Sequence, residues 1–134
     1  MKKESIERAV ELANLLGHVF IATADGEGLP HLAASRRIGR ESDGRLGVSE
    51  WFCPGTLANI QINPRISIVV WDRERDTGYQ ILGRCEKVEE ISMMDGLSPE
   101  RESRSPLPQV ERKILVGVDR IIHFSQMPHS DVEE

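Results

Sequence analysis

The chain has 134 residues, of which 39% are hydrophobic and 29% charged, and its formal net charge is −5 at pH 7. This length is typical of one domain that buries a core without disulfides or a structural metal. The acidic balance gives no electrostatic reason to bind DNA or anionic membranes. The two cysteines lack CxxC spacing, which favours a reducing compartment, and no apolar run approaches the roughly 18 residues that span a bilayer. We therefore expect a single cytoplasmic domain over residues 1–134, with no nucleic-acid or membrane partner.

The N-terminal segment has the pattern of an amphipathic helix. Apolar residues recur from Ile6 to Leu16 at three- and four-residue spacing, and Gly17 follows as a stop signal. Charged residues occupy the positions between them. The apolar side of this helix is expected to pack on the β-rich segment that begins directly after it.

Three β-prone segments follow in close succession. Residues 19–23 form the first, and the glycines of residues 25–28 suit the positive φ of a hairpin turn. Residues 29–38 return as a second strand, and a turn at 41–44 leads to a third strand over 45–49. Because no crossover helix separates these segments, we expect an antiparallel meander.

A short helix interrupts the strands. We expect it to begin within residues 54–60, with Thr56 as its N-cap, and to end at Asn63 because Pro64 disfavours helical geometry in the residue before it. The next segment, residues 66–71, is rich in β-branched side chains. That composition predicts a central strand that is buried on both faces.

The C-terminal half contains two further strands. Residues 79–88 form a long strand in which Gly83 permits a bend or a close backbone approach, and residues 114–124 form the last strand. Between them, residues 91–110 are predicted to be a variable insertion of helix and loop, and residues 128–134 a loose polar tail. The pattern as a whole predicts a mainly β fold, a six-stranded antiparallel barrel with an N-terminal helix and a short helix between strands 3 and 4.

The most informative segment, residues 49–59, joins a strand to the first turn of the short helix. Unpaired backbone N–H groups and a partial positive charge at a helix start attract anions. Gly55 leaves room for a phosphate there, and the Thr56 hydroxyl can donate a hydrogen bond to it. The alternative is that Thr56 only caps the helix.

The second predicted strand carries small residues followed by two arginines. Ala33, Ala34 and Ser35 would let a flat ring lie against the backbone, or would accommodate a packed helix. Arg36 and Arg37 point to opposite faces of a strand, so only one of them can serve a given ligand. That arginine can supply a cation to a phosphate or to the electron-rich edge of a reduced flavin, or it can be a solvated surface residue.

Aromatic residues are few, and Trp51 and Phe52 lie together in a predicted loop. Exposed loop aromatics indicate an interface or a ligand site, and the alternative is a hydrophobic cluster beneath the loop. The four histidines and two cysteines show no metal-ligand spacing, and no dinucleotide-binding, P-loop or hydrolase motif occurs. We therefore predict no metal site and assign no catalytic acid or base.

In sequence order, these features resemble the FMN-binding split-barrel family related to pyridoxamine 5′-phosphate oxidase, in particular its small bacterial FMN-binding proteins. The resemblance extends over residues 5–90. It includes the leading helix and the first two strands. It is strongest in three segments, residues 56–60, 63–67 and 78–83.

The resemblance implies a homodimer of split barrels with two FMN sites at the subunit interface. The residues that it places at the cofactor are Ala34, Ser35 and Arg36 along the ring system, Ser49, Trp51 and Phe52 at its border, and Gly55 and Thr56 at the phosphate. Family members often carry a lysine or arginine beside the phosphate, where this chain has Pro54 and Gly55.

The resemblance also implies an activity. The chain would be an FMN-binding oxidoreductase or flavin reductase, in which the flavin does the redox chemistry with a small-molecule electron donor or acceptor. One alternative is a non-catalytic flavin-binding or electron-carrier module. Another is a split barrel that binds haem or a deazaflavin.

Overall fold

A computed structural model of the protein describes residues 2–51, 54–94 and 109–128 and most of their side chains. No helix in these ranges is long and apolar enough to cross a membrane. The described residues form two helices and seven strands, in the order α1 (Lys2–Leu16), β1 (Val19–Ala24), β2 (Pro30–Ser35), β3 (Arg37–Arg40), β4 (Leu46–Trp51), α2 (Pro54–Ile62), β5 (Arg65–Asp72), β6 (Thr77–Met94) and β7 (Gln109–His123).

The strands form one curled antiparallel sheet in the order β2-β1-β5-β6-β7-β4-β3. Its two edge strands, β2 and β3, are consecutive in the chain and meet at Arg36. The sheet therefore turns back on itself, and the Ser35 hydroxyl donates to the Ser49 backbone oxygen at 3.1 Å across the corner. The predicted mainly β split barrel with two helices is confirmed.

The predicted count of six strands is wrong by one. Residues 29–38 were expected to be a single strand, but β2 pairs with β1 and β3 pairs with β4. One straight strand cannot pair in both directions around a barrel corner, so the chain bends at Arg36. The bend also removes Arg36 from the strand, so that the expected alternation of Arg36 and Arg37 does not apply.

Helix α1 packs against the barrel through its apolar side. Ile6, Ala9 and Ala13 are buried, and the helix contacts β3, β5, β6 and β7. Alanines at the contact allow a close approach of the helix to the strands. The helix ends where Gly17 adopts a φ of +81° and its N–H donates to the Ala13 oxygen at 2.8 Å, as its stop signal predicted.

The core lies on the concave side of the sheet. It consists mainly of β-branched side chains that alternate along the strands, and its fully buried members include Val19, Ile21, Val48, Ile68, Val70, Ile81, Ile114 and Val116. The opposite, convex side is called the outer face below. Its cross-strand neighbours include Ala34, Phe20, Val69, Gln80 and Ile122.

The prediction that residues 66–71 are buried on both faces is wrong for the chain by itself. Ile66, Ile68 and Val70 point into the core, whereas Val69 and Trp71 lie on the outer face and are only partly covered. The strand is central in the sheet, as predicted. Its composition therefore suits a second layer on the outer face that the described part of one chain does not supply.

The predicted insertion is shorter at both ends than residues 91–110. Residues 91–94 continue β6, and residues 109–110 begin β7. Residues 95–108 lie outside the described part of the chain, as do residues 129–134 of the predicted tail.

Candidate functional site

Four of the eight residues predicted to contact a cofactor lie at the corner between β2 and β3. Ala34 and Ser35 end β2, Arg36 forms the bend, and Ser49 lies in β4. Besides the hydrogen bond from Ser35 to Ser49, Arg37 at the start of β3 pairs with Ser49 across the ladder. The structure thus brings Ser35, Arg36 and Ser49 together.

Strand β2 presents different chemistry on its two sides. Ala34 is exposed and lies on the outer face, opposite Phe20 of β1. Ser35 is only 2% exposed, and its hydroxyl is engaged with Ser49. A flat ligand on the outer side would therefore meet Ala34 and the backbone, but not the Ser35 hydroxyl.

The edge of β2 that faces away from β1 exposes backbone groups. β2 stands at the end of the strand order, so this edge pairs with no strand among the described residues. The small side chains of Ala33 and Ala34 leave its N–H and C=O groups accessible. β2 also contacts β4 and α2, so the exposed edge borders both of these elements.

The start of α2 differs from the sequence-based prediction. The helix begins at Pro54, a residue favoured at the first helical position because it needs no N–H partner there. Thr56 is therefore the third helical residue and not the N-cap, and it is completely buried. The position before Pro54 lies outside the described residues. Gly55 is exposed and is thus the better placed of the two predicted phosphate contacts.

An unpredicted residue, His31, lies against this helix start. A Cβ built on Gly55 would be 3.3 Å from His31 Nε2, so the imidazole fills the space that the glycine leaves. The His31 Nδ1 is buried and has no hydrogen-bond partner in the described structure. The sequence assigns His31 no role in the site, because the four histidines show no metal-ligand spacing. His31 and Ser35 are four residues apart on β2 and therefore share one side of the strand. This spacing was the available signal that His31 faces inward.

The aromatic residues lie in two different places. Trp51 ends β4, but its side chain and all of Phe52 lie outside the described part of the chain. Trp71 packs edge-to-face on Phe124, and its indole N–H donates to Asp76 at 3.0 Å. Tyr79 is buried beside His123. Trp71 and Tyr79 therefore hold the fold together and are not at the corner.

Two further observations concern metal binding and the position of a groove. Within the described ranges, no group of three or more His, Cys, Asp or Glu side chains is placed to hold a metal ion. A large groove on the outer face includes none of the predicted cofactor residues.

The chain is similar to known proteins along most of its length. Residues 6–114 match the family model described as pyridoxamine 5′-phosphate oxidase. No curated protein matches the chain at a significant level.

Solved structures share the fold at low sequence identity. HupZ of Group A Streptococcus is 22% identical with a TM-score of 0.63, covering 94% of this chain and 97% of its own. An FMN-binding protein from Syntrophomonas wolfei is 16% identical with a TM-score of 0.62, covering 95% of this chain and 90% of its own. An F420 reductase is 17% identical with a TM-score of 0.58, covering 83% of this chain and 93% of its own.

Proposed function

Because the chain belongs to the pyridoxamine 5′-phosphate oxidase family, we propose that it binds FMN between two copies of itself and acts as an FMN-dependent oxidoreductase or flavin reductase. The observation that carries this proposal is the exposed edge of β2, where Ala33 and Ala34 adjoin the His31–Gly55 contact at the start of α2. A flat ring and a phosphate have suitable partners there.

The ring system fits the small-residue edge. Ala34 has no bulk to hold a tricyclic ring away from the β2 backbone, whose edge groups can hydrogen-bond to ring nitrogens and oxygens. Arg36 is exposed at the bend, where its cation would stabilise negative charge on a reduced flavin. Ser35 would support this surface from inside by holding the corner closed.

The phosphate fits the start of α2 through groups other than Thr56. Gly55 is exposed, and the backbone N–H groups of a helix start favour an anion. His31 Nε2 lies beside Gly55, and its ring carries an unpartnered Nδ1. An imidazole that donates through Nε2 would replace the lysine or arginine that other family members place beside the phosphate.

A second copy of the chain is the proposed cover for the outer face. Phe20 is 39% exposed and Leu32 is 64% exposed, both close to Ala34 in the ladder. Val69 and Trp71 add apolar surface in the adjacent strand. Exposed apolar patches of this kind mark association surfaces. A dimer built on this face would place the β2 edge at the subunit interface.

FMN bound in this way would accept two electrons from a reduced donor and pass them to an acceptor. The residues of the chain would bind the ring and phosphate, orient them and limit access of water. No side chain of the described site is assigned as an acid or base.

The test of the site is the affinity for FMN, measured by quenching of flavin fluorescence. Gly55→Asp places a carboxylate beside the proposed phosphate and a Cβ 3.3 Å from His31 Nε2. It is expected to weaken FMN binding at least ten-fold through like-charge repulsion and displacement of the imidazole. Ala58→Asp is the matched control, because Ala58 is exposed on the same helix one turn further on. Riboflavin, which lacks the phosphate, should bind both variants equally. Equal FMN affinity of the two variants would remove Gly55 from the site.

The test of the activity is steady oxidation of NADH or NADPH by the FMN-loaded protein. Turnover supports an oxidoreductase or flavin reductase. Tight FMN binding without turnover would instead indicate an electron carrier. If the protein takes up no FMN but is coloured by a deazaflavin or haem, that group replaces FMN as the proposed cofactor.

A further inference from the structure

A groove of about 630 Å³ lies on the outer face, at the end of the sheet where α2 leads into β5. Volumes of this order are typical of sites for small molecules. The groove contains Asn63 and Arg65, which follow the C-terminal end of α2, whereas the proposed FMN phosphate lies at the opposite end of that helix. It is therefore separate from the corner between β2 and β3.

The floor of the groove is a row of cross-strand neighbours. Ala22, Ser67, Leu82 and Arg120 follow one another across β1, β5, β6 and β7. Two of these four side chains are small, so the surface is low between the longer side chains around it. Leu82 gives the floor an apolar character. The body of a small organic molecule could lie on it.

The next row brings two positive charges together. Arg65 and Arg84 are direct partners in the β5–β6 ladder, and both line the groove. Like charges directly opposite each other on neighbouring strands destabilise a sheet. Asp119 contacts Arg84 at 3.4 Å, but the described residues place no carboxylate in an ion pair with Arg65. With Arg120, the groove has three arginines and one aspartate in a chain of net charge −5.

We propose that this groove binds a small organic anion, a phosphate monoester or carboxylate with an apolar body. The charged group lies between Arg65 and Arg84, where arginine forks suit either oxyanion and the anion relieves their repulsion. The apolar body lies on Ala22 and Leu82. The groove includes none of the residues proposed to hold FMN, although it adjoins the proposed dimer contact, because Ala22 is the ladder partner of Leu32.

The experiment is a titration of the full ¹⁵N-labelled protein with phenyl phosphate, benzoate and benzyl alcohol, followed by NMR. Phenyl phosphate or benzoate should cause saturable shifts of the Ala22 and Ser67 amides, and the one that binds more tightly identifies the preferred anion. Neutral benzyl alcohol should not. Absence of saturable binding with a Kd below about 1 mM for both anions would overturn the proposal.

Arginine variants identify the charged contact. Arg65→Gln and Arg84→Gln should each weaken anion binding ten-fold or more, since each removes a charge-assisted contact. Arg75→Gln is the control, because this substitution also removes one positive charge. Arg75 is exposed in the β5–β6 turn and lies outside the groove. Equal losses in all three variants would reduce the effect to net charge and contradict a built site.

The same variants separate this site from the FMN site. Their FMN affinity, measured by flavin fluorescence, should equal that of the unmodified protein. A parallel loss of FMN and phenyl phosphate binding in Arg65→Gln would show a single site and refute a separate groove. Failure of FMN binding in every form of the protein would concern only the proposed function.

Discussion

Gly83 is a single residue on which the β6–β7 pairing depends. The register shifts between Leu82 and Gly83, and a Cβ at Gly83 would collide with the backbone oxygen of Gly117 and lie 2.9 Å from Val116 Cγ1. The sequence predicted a bend or close backbone approach here, and the close approach is confirmed. Val116 is completely buried, so its side chain has little room to move away.

Gly83→Ala is accordingly expected to lower the free energy of unfolding by about 1–3 kcal/mol through overpacking. Gly39→Ala is the control, because nothing lies within 4 Å of a Cβ there. Its effect should stay within about 0.5 kcal/mol. Urea unfolding of both variants measures the difference, and similar midpoints would show that the strands can separate at Gly83 without loss.

Asp76 links the β5–β6 turn to the segment after β7. Its carboxylate accepts hydrogen bonds from the backbone N–H groups of Gln126 at 2.8 Å and Met127 at 3.2 Å, and from the Trp71 indole. The N–H of Gln126, followed by Trp71 and Met127, holds the pKa of Asp76 below its usual value, against a smaller opposing effect of burial. The ionised form is thus bound more strongly in the folded state.

The pH dependence follows from this direction. The contribution of Asp76 to stability is complete above the pKa of the unfolded chain and is lost as the pH falls through the lower pKa of the folded state. Asp76→Asn should therefore be less stable than the unmodified protein at pH 7, and the difference should shrink in acid. Thermal unfolding at pH 7 and at an acidic pH, followed by Trp fluorescence, measures this difference. Glu74→Gln is the control, because Glu74 is exposed. A difference that is independent of pH would assign the effect to shape and not to charge.

At the scale of the elements, the corner between β2 and β3 decides how the sheet closes. The two edge strands are held there by the bend at Arg36 and by the hydrogen bond from Ser35 to Ser49. The Ser35 hydroxyl is buried, so its removal takes a hydrogen-bond donor away from the Ser49 backbone oxygen. The corner also carries the exposed edge of β2 on which the FMN proposal depends.

Ser35→Ala should lower the free energy of unfolding by about 0.5–1.5 kcal/mol, the usual net value of one hydrogen bond. Because the hydroxyl faces inward, FMN affinity should fall by much less than in Gly55→Asp. Ser42→Ala in the exposed β3–β4 turn serves as the control for stability. A large loss of FMN affinity with unchanged stability would mean that the Ser35 hydroxyl contacts the cofactor directly.

At the scale of the whole molecule, the outer face determines the proposed assembly. Leu32→Glu introduces a charge among the exposed apolar residues of this face, and the proposed dimer should dissociate to monomers. Leu15→Glu is the matched control, since Leu15 is 70% exposed on α1 and lies away from the face. Light scattering coupled to size exclusion gives the mass of each variant. A dimer that survives Leu32→Glu would place the interface elsewhere.

Patterns within short segments determined the type of each element. Spacing of apolar residues predicted α1, glycines predicted the turns, and Pro64 predicted where α2 ends, because each depends on neighbours a few residues apart. Strands that follow one another without crossover helices predicted the antiparallel barrel, and the family resemblance implied the same fold. Of the proposed site, the small residues of β2 were visible in the sequence, and so was the strand-to-helix junction at Gly55.

Contacts between distant segments were decided only by the tertiary structure. The break at Arg36 follows from pairing with two different strands, the burial of Thr56 from the packing of α2, and the position of His31 from the meeting of β2 with that helix. The arginine groove joins residues from β1, β5, β6 and β7. Strand register sets such neighbours, and no local pattern of the chain encodes register between segments so far apart.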